Sequence, residues 1–139
     1  MDPLQLATMA ISLIAPYLTQ AGKAAANKAG EAAGQQIEGL LNAIRGRFVK
    51  DADMYAQQTL ERLEQQPEAE GRRRAMVDVL AEKAVDPEFA QQLAQILDKA
   101  RKDEATSQFV TNVYGHGKVG QLFNIGSVET LNVGANDPT

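Results

Sequence analysis

The chain has 139 residues, with 14 Lys and Arg against 18 Asp and Glu for a formal net charge of −4, a single His, and neither Cys nor Trp. That length accommodates one compact domain with a tail. The charge argues against nucleic acid as a partner, since a phosphate backbone calls for a basic surface. The lack of Cys rules out disulfides and thiol chemistry and fits a cytoplasmic protein.

The charge is uneven along the chain. Residues 1–50 hold five basic and three acidic groups, and residues 51–105 hold eight basic and thirteen acidic ones. The N-terminal part is therefore the one an anionic membrane surface tolerates best. From Pro3 to Gly22 no residue is charged. As a helix such a stretch spans about 30 Å, near the hydrocarbon thickness of a bilayer. Asp2 and Pro3 supply a cap and a first turn. No basic region precedes the run, so it does not read as a signal peptide. Gln5, Thr8, Ser12, Thr19 and Gln20 interrupt it, and Pro16 predicts a kink. Leu6, Met9, Leu13 and Tyr17 lie near one face, as in a helix buried in a bundle. The segment is also apolar enough to enter lipid once uncovered. The candidate membrane-inserting residues are Leu4, Leu6, Met9, Ile11, Leu13, Ile14, Tyr17 and Leu18.

From Ala21 to Gly34 small residues recur every four positions in two stripes, Ala21, Ala25, Ala29, Ala33 and Gly22, Ala26, Gly30, Gly34. Such stripes let helix backbones approach closely, and each Gly costs a helix roughly 1 kcal/mol relative to Ala. Gly22, Ala26, Gly30 and Gly34 are candidates for helix packing in an oligomer; a contact inside a resting bundle and a flexible connector account for the pattern equally well. A helix over residues 31–49 follows, with Ile37, Leu40, Leu41, Ile44 and Phe48 inward and Arg45, Arg47 and Lys50 at its C-terminal end, where the dipole favours cations. A third helix starts after Asp51 or Asp53, carries Met54, Leu60 and Leu63, and stops before Pro67. A fourth, over residues 68–85, places Ala75, Met76, Val79 and Leu80 inward. Its Arg72-Arg73-Arg74 run, flanked by Glu68, Glu70 and Asp78, reads as a solvated, salt-bridged face. Asp86-Pro87 opens a fifth helix to about Glu104, with Phe89, Leu93, Ile96 and Leu97 inward.

The expected fold class is all-α. A four- or five-helix bundle over residues 1–105 has an apolar N-terminal helix. A tail over residues 106–139 follows, disordered in the monomer and cross-β in an assembly. Phe109–Val133 carries the tail's signal: β-branched and aromatic residues sit between Gly and Asn, which favours strands broken by turns. Asn112-Val113, Asn124-Ile125-Gly126 and Asn132-Val133-Gly134 repeat one phrase. In a cross-β stack, Asn side chains form ladders and apolar side chains pack dry. The candidate core is Asn112, Val113, Gly115, Val119, Gln121, Asn124, Ile125, Gly126, Val128, Asn132 and Val133. An ordinary disordered tail or a β-hairpin docked on the domain is the alternative. His116 is the lone His, with no Cys and no carboxylate cluster beside it to hold a metal. No nucleophile triad, phosphate-cradling Gly loop or H-E-x-x-H motif is present. The sequence therefore points to neither an enzyme nor a cofactor.

Residues 109–133 resemble a bacterial amyloid signalling motif, through Gly115, Gly117 and Gly120 around Lys118-Val119, then Gln121, then Asn124-Ile125-Gly126-Ser127-Val128. The Asn-Ile-Gly phrase is similar to the core of animal necroptosis amyloid motifs. Together with the uncharged run from Leu4 to Tyr17 and the helical middle, the whole layout resembles the bacterial HeLo-like cell-death domain called Bell. That resemblance implies a tail templated by a matching motif on an NLR-like receptor. It implies self-assembly into fibrils or oligomers, release of the leading helix, and a breach of the cytoplasmic membrane by copies that were cytoplasmic at rest. The second reading is a non-lytic adaptor whose tail polymerises while its bundle recruits another effector, and the third is a plain helical scaffold.

Overall fold

A computed structural model describes residues 2–115 and Leu122, and every regular element among them is helical. The order is α1 (Pro3–Tyr17), α2 (Gln20–Ala29), α3 (Glu31–Lys50), α4 (Met54–Gln65), α5 (Glu70–Lys83), α6 (Pro87–Lys102) and α7 (Glu104–Tyr114). The starts are written in short polar side chains that accept otherwise unpaired N–H groups. Asp2 accepts from the Gln5 N–H, and the Gln5 side chain accepts from the Asp2 N–H in return, which is a capping box. Thr19, Asp53, Asp86 and Asp103 cap α2, α4, α6 and α7 in the same manner, accepting from Gly22, Ala56, Glu88 and Thr106. Gly30 separates α2 from α3 at φ +136°, a conformation that L side chains rarely adopt.

The helices pack around α1, which contacts α2, α3, α5 and α6, most extensively α5. Leu6, Ala7, Met9, Ala10, Ile11, Leu13, Ile14 and Ala15 are all buried. Around them sit Ile37, Leu40, Ile44 and Phe48 of α3, Met76 and Leu80 of α5, Phe89 and Leu93 of α6, and Phe109 and Val110 of α7. A helix apolar around most of its circumference belongs at the centre of such a packing. The one-face expectation for Leu6, Met9, Leu13 and Tyr17 was therefore too narrow.

The all-α class is as expected, but the division of the chain differs in two places. Seven helices stand among the described residues where four or five were expected, partly because the small-residue stretch forms α2 as a helix of its own. The larger correction concerns residues 109–114. They were read as the start of the β-rich tail, and they are the second half of α7. Thr106, Phe109 and Val110 are buried on one face at helical spacing. Burial of that face, with the Asp103 cap, overrides the strand propensity of Phe, Val, Thr and Tyr. The boundary placed between residues 105 and 106 thus falls inside a helix that packs on α2, α3 and α6. Residues 106–114 of the expected tail are thus helical, and the disorder or cross-β state expected of the remainder lies outside the described residues.

Candidate functional site

Most of the residues assigned to membrane insertion are hidden. Leu6, Met9, Ile11, Leu13, Ile14 and Tyr17 are buried, Leu18 is half-buried, and Leu4 alone is exposed, at 56%. The outward edge of α1 is Leu4, Thr8, Ser12 and Pro16, four residues apart. This edge lies between α5 and α7. A cavity of about 320 Å³ is lined there by Thr8, Ile11, Ser12, Arg73, Val77 and Tyr114, among others. A neighbouring one of about 410 Å³ is lined by Pro16, Thr19, Gly22, Pro67, Arg73 and Tyr114, among others. The linings also fix direction: Ala15 and Pro16 share one with Pro67 and Glu68, just before α5, while Thr8 and Ile11 share the other with α5 residues as far along as Val77, so the two helices are antiparallel.

Three contacts hold α1 beyond simple burial. The first answers a defect in its own backbone. Pro16 has no N–H to give the carbonyl of Ser12, one helical turn earlier. The Tyr114 hydroxyl, on the last residue of α7, donates to that carbonyl at 2.6 Å. Burial raises the Tyr114 pKa, and the nearby positive charge of Arg73 opposes the rise. The second contact is at Tyr17, whose hydroxyl donates to the Glu38 carboxylate of α3 at 2.5 Å, and whose ring meets Phe109 of α7 edge-on at 6.4 Å between centroids. Burial first, and then the bond to Glu38, push the Tyr17 pKa up to about 12. The third contact is the corner into α2. The Pro16 carbonyl accepts from the Thr19 N–H at 3.1 Å and from its hydroxyl at 2.7 Å. A Cβ on Gly22 would lie 1.6 Å from that same oxygen, so the corner has room for glycine only.

The small-residue set serves contacts within the chain. Gly22 and Ala26 are buried on α2, which packs on α7, α1 and α3. Gly30 lies against Ala105, where an added Cβ would stand 3.2 Å from the Ala105 Cβ, and Gly34 faces the Tyr17 hydroxyl. Of the amyloid-core candidates, Asn112 and Val113 lie on α7, and Gly115 follows at φ +100°. Val119, Gln121, Asn124, Ile125, Gly126, Val128, Asn132 and Val133 lie outside the described residues. Leu122, within that stretch, is buried in the core cluster.

The arginine run divides its work. Arg74 pairs with Glu70 at 3.0 Å, as the salt-bridged reading expected, while Arg72 donates to the Arg62 carbonyl and Arg73 has no ion pair among the described residues. No group of His and acidic residues able to hold a metal stands among the described residues. No described helix is long and apolar enough to cross a membrane. Sequence reasoning passed over Tyr114 and Glu38. The signal for the first was available, because a proline four residues after Ser12 announces a carbonyl in need of an outside donor. Compared with family models, with curated proteins and with solved structures, the chain finds no match.

Proposed function

We propose that this chain is a non-enzymatic cell-death effector of bacterial innate immunity, switched on when its C-terminal stretch is templated into a cross-β stack. The observation that carries the reading is the seat of α1: an uncharged helix at the centre of the bundle, held through Tyr114 and Phe109 by the helix that runs into the motif-like stretch. Stacking of residues from 109 onward would unwind the second half of α7. It would cost the burial of Phe109 and Val110, roughly 3–6 kcal/mol together, which a growing fibril offsets through ladder pairing. The same unwinding removes the donor from the Ser12 carbonyl and the ring from Tyr17. Crowding of many copies along a fibril then raises the local concentration of freed α1 helices. The partners of this reading are further copies of the chain, an NLR-like receptor bearing a matching motif, and the lipids of the cytoplasmic membrane.

The 15 residues of α1 amount to about 22 Å of helix, short of the roughly 30 Å hydrocarbon core. This favours disruption from the interface over a single straight span. The shortness of α1 also supports the second reading, a non-lytic adaptor, since a helix so well fitted to its bundle serves as a core element without ever leaving.

Charged substitutions at Leu13 or Ile14 test this poorly, because both side chains are fully buried and a charge there would unfold the bundle. Leu4 is the useful position. It is exposed in the first turn of α1, where an acid suits the helix dipole, so Leu4→Asp keeps the resting fold. Inserted at the lipid interface the same acid forfeits the burial of one Leu side chain, roughly 1.5–3 kcal/mol. Liposomes loaded with dye and seeded with fibrils of a residue 109–133 peptide should leak with the parent chain and at least about tenfold more slowly with Leu4→Asp. Equal leakage from both would refute the use of α1. Fibrils without leakage from the parent would leave the adaptor.

A further inference from the structure

Six large apolar side chains stand exposed among the described residues, and five of them share one end of the bundle. Val49 lies in the last turn of α3, and Met54 and Tyr55 open α4, so these three flank a single turn. Val85 lies in the turn between α5 and α6. The two turns are stitched together: Lys83 reaches Asp51 at 2.9 Å and Asp53 at 2.8 Å, and Arg47 reaches Asp86 at 2.6 Å. Because α1 runs antiparallel to α5, its first turn, with Leu4, lies toward the same end. Exposures run from 56% at Leu4 to 69% at Val85.

We infer that this pole is a lipid-docking surface that seats the folded bundle on a bilayer before α1 moves. The inference rests on the membrane reading above and adds a step that precedes it. The shape argues for lipid. These side chains stand on turns and a helix start, as separate protrusions, and a bilayer interface accepts protrusions one by one. The charges agree. Asp51, Asp53 and Asp86 are each paired within the fold to Lys83 or Arg47, so only one net negative charge is left among the five, which lowers the cost of bringing the turns to an apolar boundary. Lys50, beside Val49, has no ion pair among the described residues, and Asp2 and Glu88 stand at the starts of α1 and α6, so the pole carries a small net negative charge. Insertion of apolar side chains, with Tyr55 at headgroup depth, therefore carries the docking. Contact at this pole brings the N-terminus of α1 to the interface first.

The absence of Trp from the chain makes the test direct. In the full chain, Tyr55→Trp supplies a lone indole at the pole. Its emission should shift to the blue on addition of phosphatidylcholine vesicles, without any fibril seed. Tyr55→Glu and Val85→Glu replace exposed side chains and should keep the parent's helical circular dichroism. Each should lower partitioning to vesicles about tenfold, as expected for loss of one inserted apolar side chain. Gln66→Glu, at the opposite end, should bind as the parent does, and phosphatidylserine should not strengthen binding. An unmoved emission, or parent-like binding by both Glu variants, overturns the proposal. So does lipid-free dimerisation of the parent that Tyr55→Glu abolishes, which assigns the pole to a second copy. Binding that depends on Tyr55 without leakage would uphold docking while the breach of the membrane fails. Seeded leakage that ignores Tyr55 and Val85 would do the reverse.

Discussion

Removing one hydroxyl tests how α1 is held. Tyr114→Phe keeps the ring and deletes only the donor to the Ser12 carbonyl. A neutral hydrogen bond contributes about 0.5–1.5 kcal/mol net, and a fully buried carbonyl left unpaired costs more. Here Ser12 is half-buried and Tyr114 is 40% exposed, so water partly replaces the lost donor and the expected loss is about 1 kcal/mol. With an m-value of about 1.5 kcal/mol per M, the urea midpoint should fall by about 0.7 M. The decisive variant is Pro16→Ala, which returns an N–H to the helix where the Ser12 carbonyl can accept it. If the hydroxyl matters because of the proline, Tyr114→Phe should cost nearly nothing in the Pro16→Ala background. The coupling in the double-mutant cycle should then be close to the whole 1 kcal/mol, read from urea unfolding followed by circular dichroism. An equal loss in both backgrounds would refute the reasoning and reduce Tyr114 to a packing residue.

Glycine substitutions should divide sharply. Gly22→Ala forces the corner apart, because its Cβ would overlap the Pro16 oxygen, and should cost about 3 kcal/mol. Gly39→Ala and Gly46→Ala meet nothing within 4 Å inside α3 and should each stabilise by about 0.5–1 kcal/mol in the same unfolding assay. At alkaline pH the folded state holds the Tyr17 proton more tightly than an unfolded chain, whose tyrosines titrate near pH 10. That part of the stability is complete below about pH 10 and is lost toward about pH 12; Tyr17→Phe should flatten the decline, leaving the smaller part due to Tyr114. At acid pH the sign reverses. Lys83 and Arg47 hold Asp51, Asp53 and Asp86 below the usual carboxylate range of 3.8. Their contribution is present above that range and lost below it, and a Lys83→Met variant should show a shallower loss of urea midpoint on acidification.

The periodic parts of the fold were legible in the sequence. Ile37, Leu40, Leu41, Ile44 and Phe48 recur at helical spacing and are all buried, and Asp86-Pro87 opens α6 as its chemistry dictates. The path of α7 was not, because Phe, Val, Thr and Tyr carry strand propensity, while the feature that decides their conformation is the surface Phe109 and Val110 find on the bundle. Around the candidate site, the apolar character of α1 was plain, but its burial on more than one face depends on neighbours from four other helices. The small-residue stripes were equally visible. What they were for needed the positions of Pro16, Tyr17 and Ala105, which are distant in the sequence from some of the glycines they meet.

The corner at Thr19 and Gly22 has a mechanical consequence. Hydrogen bonds and an absence of spare volume fasten one end of α1 to α2. A rod pinned at one end pivots. If α1 leaves its seat, its free tip sweeps an arc about 22 Å in radius, and α2 stays behind as the bracket. Stiffening or loosening that bracket would alter where the tip arrives, even with every side chain on the rod unchanged.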